Sequence, residues 1–81
     1  MSNGNRTIVH IYGQQYTIVG EEDPGHVNRV ASIVDKKMRE IRHQSNNLDA
    51  KQLAVLTSVN ITSDYLKLQE RVRHLEKQKE E

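Results

Sequence analysis

The sequence contains no cysteine, no tryptophan and no phenylalanine, and a single proline. Without cysteine, disulfides and thiolate zinc sites are excluded, which accords with a cytoplasmic protein. Aromatic residues make up 4% of the chain and apolar residues 35%. That is little material with which 81 residues could offset the entropy of their own ordering. Chains of this size turn to disulfides, a metal or association, and the first is unavailable. No apolar run approaches membrane-spanning length, and the opening Met1-Ser2-Asn3-Gly4-Asn5 lacks a signal-peptide core, so no membrane partner is expected. Neither sign of charge dominates. A formal net charge of +1 sets up no field that would draw nucleic acid. Association with further copies of the chain is the remaining route to stability.

What is present falls into an α+β order: an N-terminal β-hairpin followed by two helices, the second long. Residues 1–5 are small and polar and are expected to form a flexible tail. Over 6–20 the pattern alternates with period two, with Val9, Ile11, Tyr16 and Ile18 on one face. A turn centred on Gly13-Gln14 would pair Tyr12 with Gln15, Ile11 with Tyr16 and Val9 with Ile18. Glycine first in that turn suits type II′. Asp23 and Pro24 then supply an N-cap and a first helical residue. Val27, Val30, Ala31, Val34, Met38 and Ile41 recur at helical spacing to about Gln44. Ser45-Asn46-Asn47 is a polar turn that forces an antiparallel return. The hairpin (6–20) and first helix (24–44) thus form a head over 6–47. Residues 48–81 form the long helix, its first part in the head and the rest a stalk.

Asp49 with Gln52 makes a capping box. No proline or glycine interrupts the chain from there to Glu81, so the second helix is on the order of 50 Å long against about 30 Å for the first. Folded back, it must overshoot. Leu53, Leu56 and Val59 are placed to pack on the first helix. A separate line, Ala54, Ser58, Ile61, Tyr65, Leu68, Val72 and Leu75, alternates spacings of four and three, which is a heptad seam with Tyr65 and Val72 at a and Leu68 and Leu75 at d. The plainer alternative is an ordinary intrachain core. It serves Ala54 to Tyr65 but not Leu68 to Leu75, which lie beyond the first helix's reach. A seam between chains is therefore expected. Arg71 at g and Glu76 at the following e favour parallel pairing, a bias of about 0–1 kcal/mol. Two such dimers meeting antiparallel could form a four-helix bundle.

No catalytic arrangement is visible, and no cofactor or metal is expected. His10, His26, His43 and His74 are scattered, and the glycines belong to turns and caps. Arg29, Lys36, Arg39 and His43 make a basic line along the first helix. It reads either as a solvated face, with Asp35–Arg39 as a helical pair, or as a surface for an acidic partner. Asn60 sits in an apolar stretch and suits either a buried amide that fixes pairing or an exposed edge.

Three segments carry a resemblance. Val9-His10-Ile11-Tyr12-Gly13-Gln14-Gln15-Tyr16-Thr17-Ile18-Val19-Gly20, Val30-Ala31-Ser32-Ile33-Val34-Asp35-Lys36-Lys37-Met38 and Leu53-Ala54-Val55-Leu56-Thr57-Ser58-Val59-Asn60-Ile61 occur in the order and spacing of the ZapA family of bacterial cell-division proteins, which the chain resembles over most of its length. Thr62 stands where the family often has Ala, and the stalk is short beside that of some relatives. The resemblance implies a non-enzymatic cytoplasmic accessory protein at the midcell division site. It would bind the tubulin-like GTPase FtsZ and cross-link or align its filaments as a dimer or dimer of dimers. In that family, charged groups near the hairpin turn and on the head contact the filament. Here the matching turn positions hold Gln14, Gln15 and Thr17, so Arg6, Arg29, Lys36 and Lys51 join Gln14 and Gln15 as the candidate contacts. The competing readings are a small dimeric DNA-binding protein of the ribbon type and a generic oligomerisation module.

Overall fold

In the computed structural model, which describes residues 4–79, the chain runs β1 (Asn5–Ile11), β2 (Gln14–Gly20), α1 (Pro24–Gln44) and α2 (Ala50–Lys79). Of the expected tail, residues 1–3 lie outside the described residues, and the strand begins at Asn5, one residue early. The expected helix end at Glu81 also lies outside them; α2 is described to Lys79.

The hairpin forms with a different turn. Ile11 pairs with Gln14, Val9 with Tyr16 and Thr7 with Ile18. The turn therefore centres on Tyr12-Gly13, two residues of pairing away from the expected register. Both central residues have positive φ, 50° at Tyr12 and 80° at Gly13, which is type I′ rather than type II′. Because side chains alternate with period two, a shift of two leaves the same residues on the same face. Val9, Ile11, Tyr16 and Ile18 remain together.

Helix α1 begins where its cap dictates. Asp23 has extended backbone angles and its carboxylate accepts from the Gly25 amide at 3.0 Å, with Pro24 next in line. At the other end the Ser45 amide donates to the Ile41 and Arg42 carbonyls, and Arg42 Nη1 donates to the Leu48 carbonyl at 2.8 Å, fastening the short connection. The capping box of α2 is reciprocal: the Gln52 amide donates to Asp49 Oδ1 at 2.8 Å and the Asp49 amide to Gln52 Oε1 at 3.1 Å.

The core is small. Val9, Val27 and Ala31 form its centre, with Ile11 packed against them; Met38 of α1 and Leu53 of α2 are also buried. Helix α1 lies over β1 and leaves β2 overhanging. On α2 the buried positions are Thr57 and, of the expected trio, Leu53 alone. Leu56 is 43% and Val59 60% exposed, because the face turned to α1 is one helical step away from them. Val30, expected in the α1 stripe, is likewise exposed. Lys37 Nζ reaches Asp64 at 3.2 Å, and the described residues of α2 beyond it, 65–79, are all exposed.

Candidate interaction surfaces

The divergence of α2 from the overhanging β2 opens an apolar groove of about 690 Å³. Ile11, Tyr16 and Ile18 of the hairpin, Val34 and Met38 of α1, and Ala54, Ser58 and Ile61 of α2 line it. Within the single chain Tyr16 stays 50% and Ile18 37% exposed, so half of the hairpin's apolar face covers nothing.

The groove runs into the heptad line. Ala54, Ser58 and Ile61 lie on the same side of α2 as Tyr65, Leu68, Val72 and Leu75, and the last four are 52–60% exposed. Ala54 and Ser58 are exposed and Ile61 is half-buried, so even the portion of the line beside α1 is not ordinary intrachain core. Val55, Leu56, Val59 and Leu66 form another exposed strip on α2, turned away from the first on the helical wheel. Asn60 is exposed.

The chain spreads 49 × 46 Å and is only 15 Å thick. Its accessible surface is 7019 Å². A compact protein of 9.4 kDa exposes about 5,000 Å², so about 2,000 Å² is in excess.

The candidate partner-binding residues do not converge. Gln14 faces the groove at the hairpin tip, while Gln15 points to the sheet's outer face, where Arg6, at the far end of β1, and His10 also lie. Arg29 and Lys36 lie on the exposed side of α1. Lys51 sits at the start of α2, beside Leu48 and Val55. The basic line along α1 is thinner than expected, because Arg39 turns back along the helix.

That turn builds a cluster which reading the sequence did not find. Asp35 Oδ1 accepts from the Tyr12 backbone amide at 2.7 Å. Its Oδ2 accepts from Arg39 Nε at 3.0 Å, and the Arg39 guanidinium lies over the Tyr12 ring, 5.4 Å from the centroid. The Arg39 hydrogen bond, then the Tyr12 amide, hold the Asp35 carboxyl below its ordinary value, and the same pairing raises Arg39. The spacing of Asp35 and Arg39 showed the helical pair; nothing local signalled that its carboxylate also reaches the hairpin. Among the described residues no three His, Asp or Glu side chains gather at metal-binding distance, and no helix is long and apolar enough to cross a membrane.

Comparison with known proteins places this architecture. The family model for the cell division protein ZapA matches residues 8–81. The cell division protein ZapA of Bacillus subtilis is 54% identical, with 100% of this chain and 98% of that protein covered. That of Bacillus licheniformis is 55% identical, with 96% and 94% covered. A solved ZapA mutant dimer from Geobacillus stearothermophilus superposes with a TM-score of 0.76 at 47% identity, covering 100% of this chain and 94% of that one.

Proposed function

The chain belongs to the ZapA family of cell division proteins, and from that premise we propose that it is a non-enzymatic cytoplasmic accessory protein that binds FtsZ and cross-links or aligns its filaments at midcell. The observation that carries this reading is the uncovered apolar face that runs without a break from the groove along Ala54, Ser58, Ile61, Tyr65, Leu68, Val72 and Leu75. A second copy of the chain is its occupant. The partner's α2 lies along the heptad line and enters the groove between Met38 and Ile18. A helix with this apolar spacing is what the face accommodates, and the excess of about 2,000 Å² on each chain is more than the roughly 800 Å² per partner of a standard interface and falls in the range of an obligate homodimer, about 2,000–5,000 Å² over both partners. The solved mutant of the Geobacillus stearothermophilus relative is a dimer, which supports self-association here.

The domain division follows from that assembly. Residues 6–47 with the start of α2 form the head, and the rest of 48–81 is the stalk. Two dimers joined through their stalks need another apolar face on each helix, and Val59 and Leu66 supply it. Heads at both ends of a four-helix bundle can hold separate filaments, a gain that comes from multivalency rather than from any one strong contact. Gln14, Gln15, Arg6, Arg29, Lys36 and Lys51 are the contacts proposed on the heads.

Sedimentation of the full chain beside a Leu68→Glu, Leu75→Glu variant tests the assembly, and co-sedimentation with polymerised FtsZ tests the function. The unaltered chain is expected to sediment as a dimer or larger and to pellet with filaments; the variant is expected to sediment lighter at the same concentration and to pellet less. A monomeric unaltered chain would sink the reading. Charge reversal at Arg29, Lys36 and Lys51 is expected to weaken pelleting while leaving assembly intact, and unchanged pelleting would remove those residues from the contact.

A further inference from the structure

The hairpin tip is held in an unusual way. Tyr12 is the first central residue of a two-residue turn, so its amide has no partner in the β ladder. Its φ of 50° is a left-handed conformation that a residue with a Cβ adopts only under constraint. The constraint is tertiary: Asp35, 23 residues along the sequence, accepts that amide at 2.7 Å. The other carboxylate oxygen takes Arg39 Nε at 3.0 Å, and Arg39 closes the ring of contacts by lying over the Tyr12 side chain.

We infer that Asp35 is a positioning residue, which fixes the tip of the hairpin in its turn and to helix α1 so that Gln15 on the sheet's outer face, and Gln14 beside it on the groove side, are preset for their partner. The inference rests on the filament-binding reading above. Its physical basis is that β2 overhangs α1 and touches little besides β1, and an isolated hairpin is marginal in water. Without the tie, the tip would have to be ordered at the moment of binding, and that ordering would subtract from affinity. Asp35 itself need not touch the filament, because one oxygen is committed to the turn and the other to its own helix.

Two substitutions separate position from charge. Asp35→Asn keeps an oxygen that can accept the Tyr12 amide but removes the ion pair; Asp35→Ala removes both. In the full-length assembly, amide hydrogen exchange at residue 12 is expected to speed up about tenfold or more in Asp35→Ala and to stay within about threefold in Asp35→Asn. Pelleting with FtsZ filaments is expected to follow the same order, with a midpoint raised about fivefold in Asp35→Ala and little changed in Asp35→Asn. Helix content and sedimentation of both variants should match the unaltered chain. If residue 12 exchanges faster in Asp35→Ala yet pelleting is unchanged, the tip's order does not matter for binding and the positioning role is overturned. If the two variants weaken pelleting equally, the carboxylate acts by its charge and the role is again overturned. If the unaltered chain does not pellet, the filament reading itself falls, and the positioning role toward filaments falls with it.

Discussion

Tyr12 and Gly13 divide the strain of one turn unequally. Both have positive φ. Glycine adopts that region freely, while tyrosine is held there by the Asp35 carboxylate and the Arg39 stack. Gly13→Ala adds a Cβ that meets no atom within 4 Å, so its cost is purely conformational. It is expected to lower stability by about 1–2 kcal/mol, read from denaturant midpoints at equal protein concentration. The Asp35 carboxyl gives the same turn a dependence on pH. Its pKa in the folded chain lies below the ordinary 3.8, chiefly through the Arg39 hydrogen bond and then the Tyr12 amide. A lowered carboxyl contributes stability that is whole above the ordinary value and is lost as pH falls through the lowered one. The unaltered chain should therefore exceed Asp35→Asn in stability at about pH 7, and the gap should narrow in acid, as pH falls below the ordinary 3.8 and through the lowered value. Parallel melts at neutral and acid pH measure it, and a gap that persists in acid would show that the carboxylate charge is not its source.

The elements differ in how far their causes reach along the chain, and that sets what could be read from sequence. Helix ends are local. Asp23 before Pro24, and Asp49 three residues before Gln52, sit where the structure has caps. Asp49→Ala is expected to cost about 1 kcal/mol, seen as a lower melting temperature with α2 frayed at its first turn by hydrogen exchange; an unchanged melt would mean that the docking of Leu53 alone fixes the helix start. The hairpin was legible in its face but not in its register. Shifting the pairing by two keeps Val9, Ile11, Tyr16 and Ile18 together, so the alternation cannot choose between registers. What chooses is a turn that seats Tyr12 in a left-handed conformation, and its support comes from α1. On α2 the choice among Leu53, Leu56 and Val59 was beyond periodicity as well. With apolar residues on several faces of the helix, the crossing of α1, not the spacing, decides that Leu53 and Thr57 are buried while Leu56 and Val59 are not. The groove and the Tyr12–Asp35–Arg39 cluster were invisible for the same reason, since each is made by elements distant in sequence. The spacing of Ala54 to Leu75, being local to one helix, put those side chains on one side of α2, where Leu68 and Leu75 are exposed; their role as a seam between chains belongs to the proposed assembly.

At the scale of the whole molecule the balance of surface decides what the chain is. Its buried apolar side chains are few, among them Val9, Val27, Ala31, Met38 and Leu53, and its thickness of 15 Å leaves no room for a deeper core. The apolar area that should stabilise it lies on the groove and the heptad line, so the proposed second copy completes the core rather than adding to it. Folding and association then become one equilibrium, and stability must depend on protein concentration. For a dimer of this size, each tenfold dilution is expected to lower the melting temperature by about 3–6 °C. The Leu68→Glu, Leu75→Glu variant isolates the contribution of the stalk. If the stalk alone holds the copies together, the variant melts lower and independently of concentration. If the groove also contributes, the variant keeps a reduced concentration dependence that Ile18→Glu or Ile61→Glu removes in turn. A melting temperature of the unaltered chain that does not move with concentration, in a range where sedimentation shows a reversible change of mass, would mean that the single chain folds independently of its partner. The uncovered face would then be a docking surface on a stable monomer, not the missing half of its core.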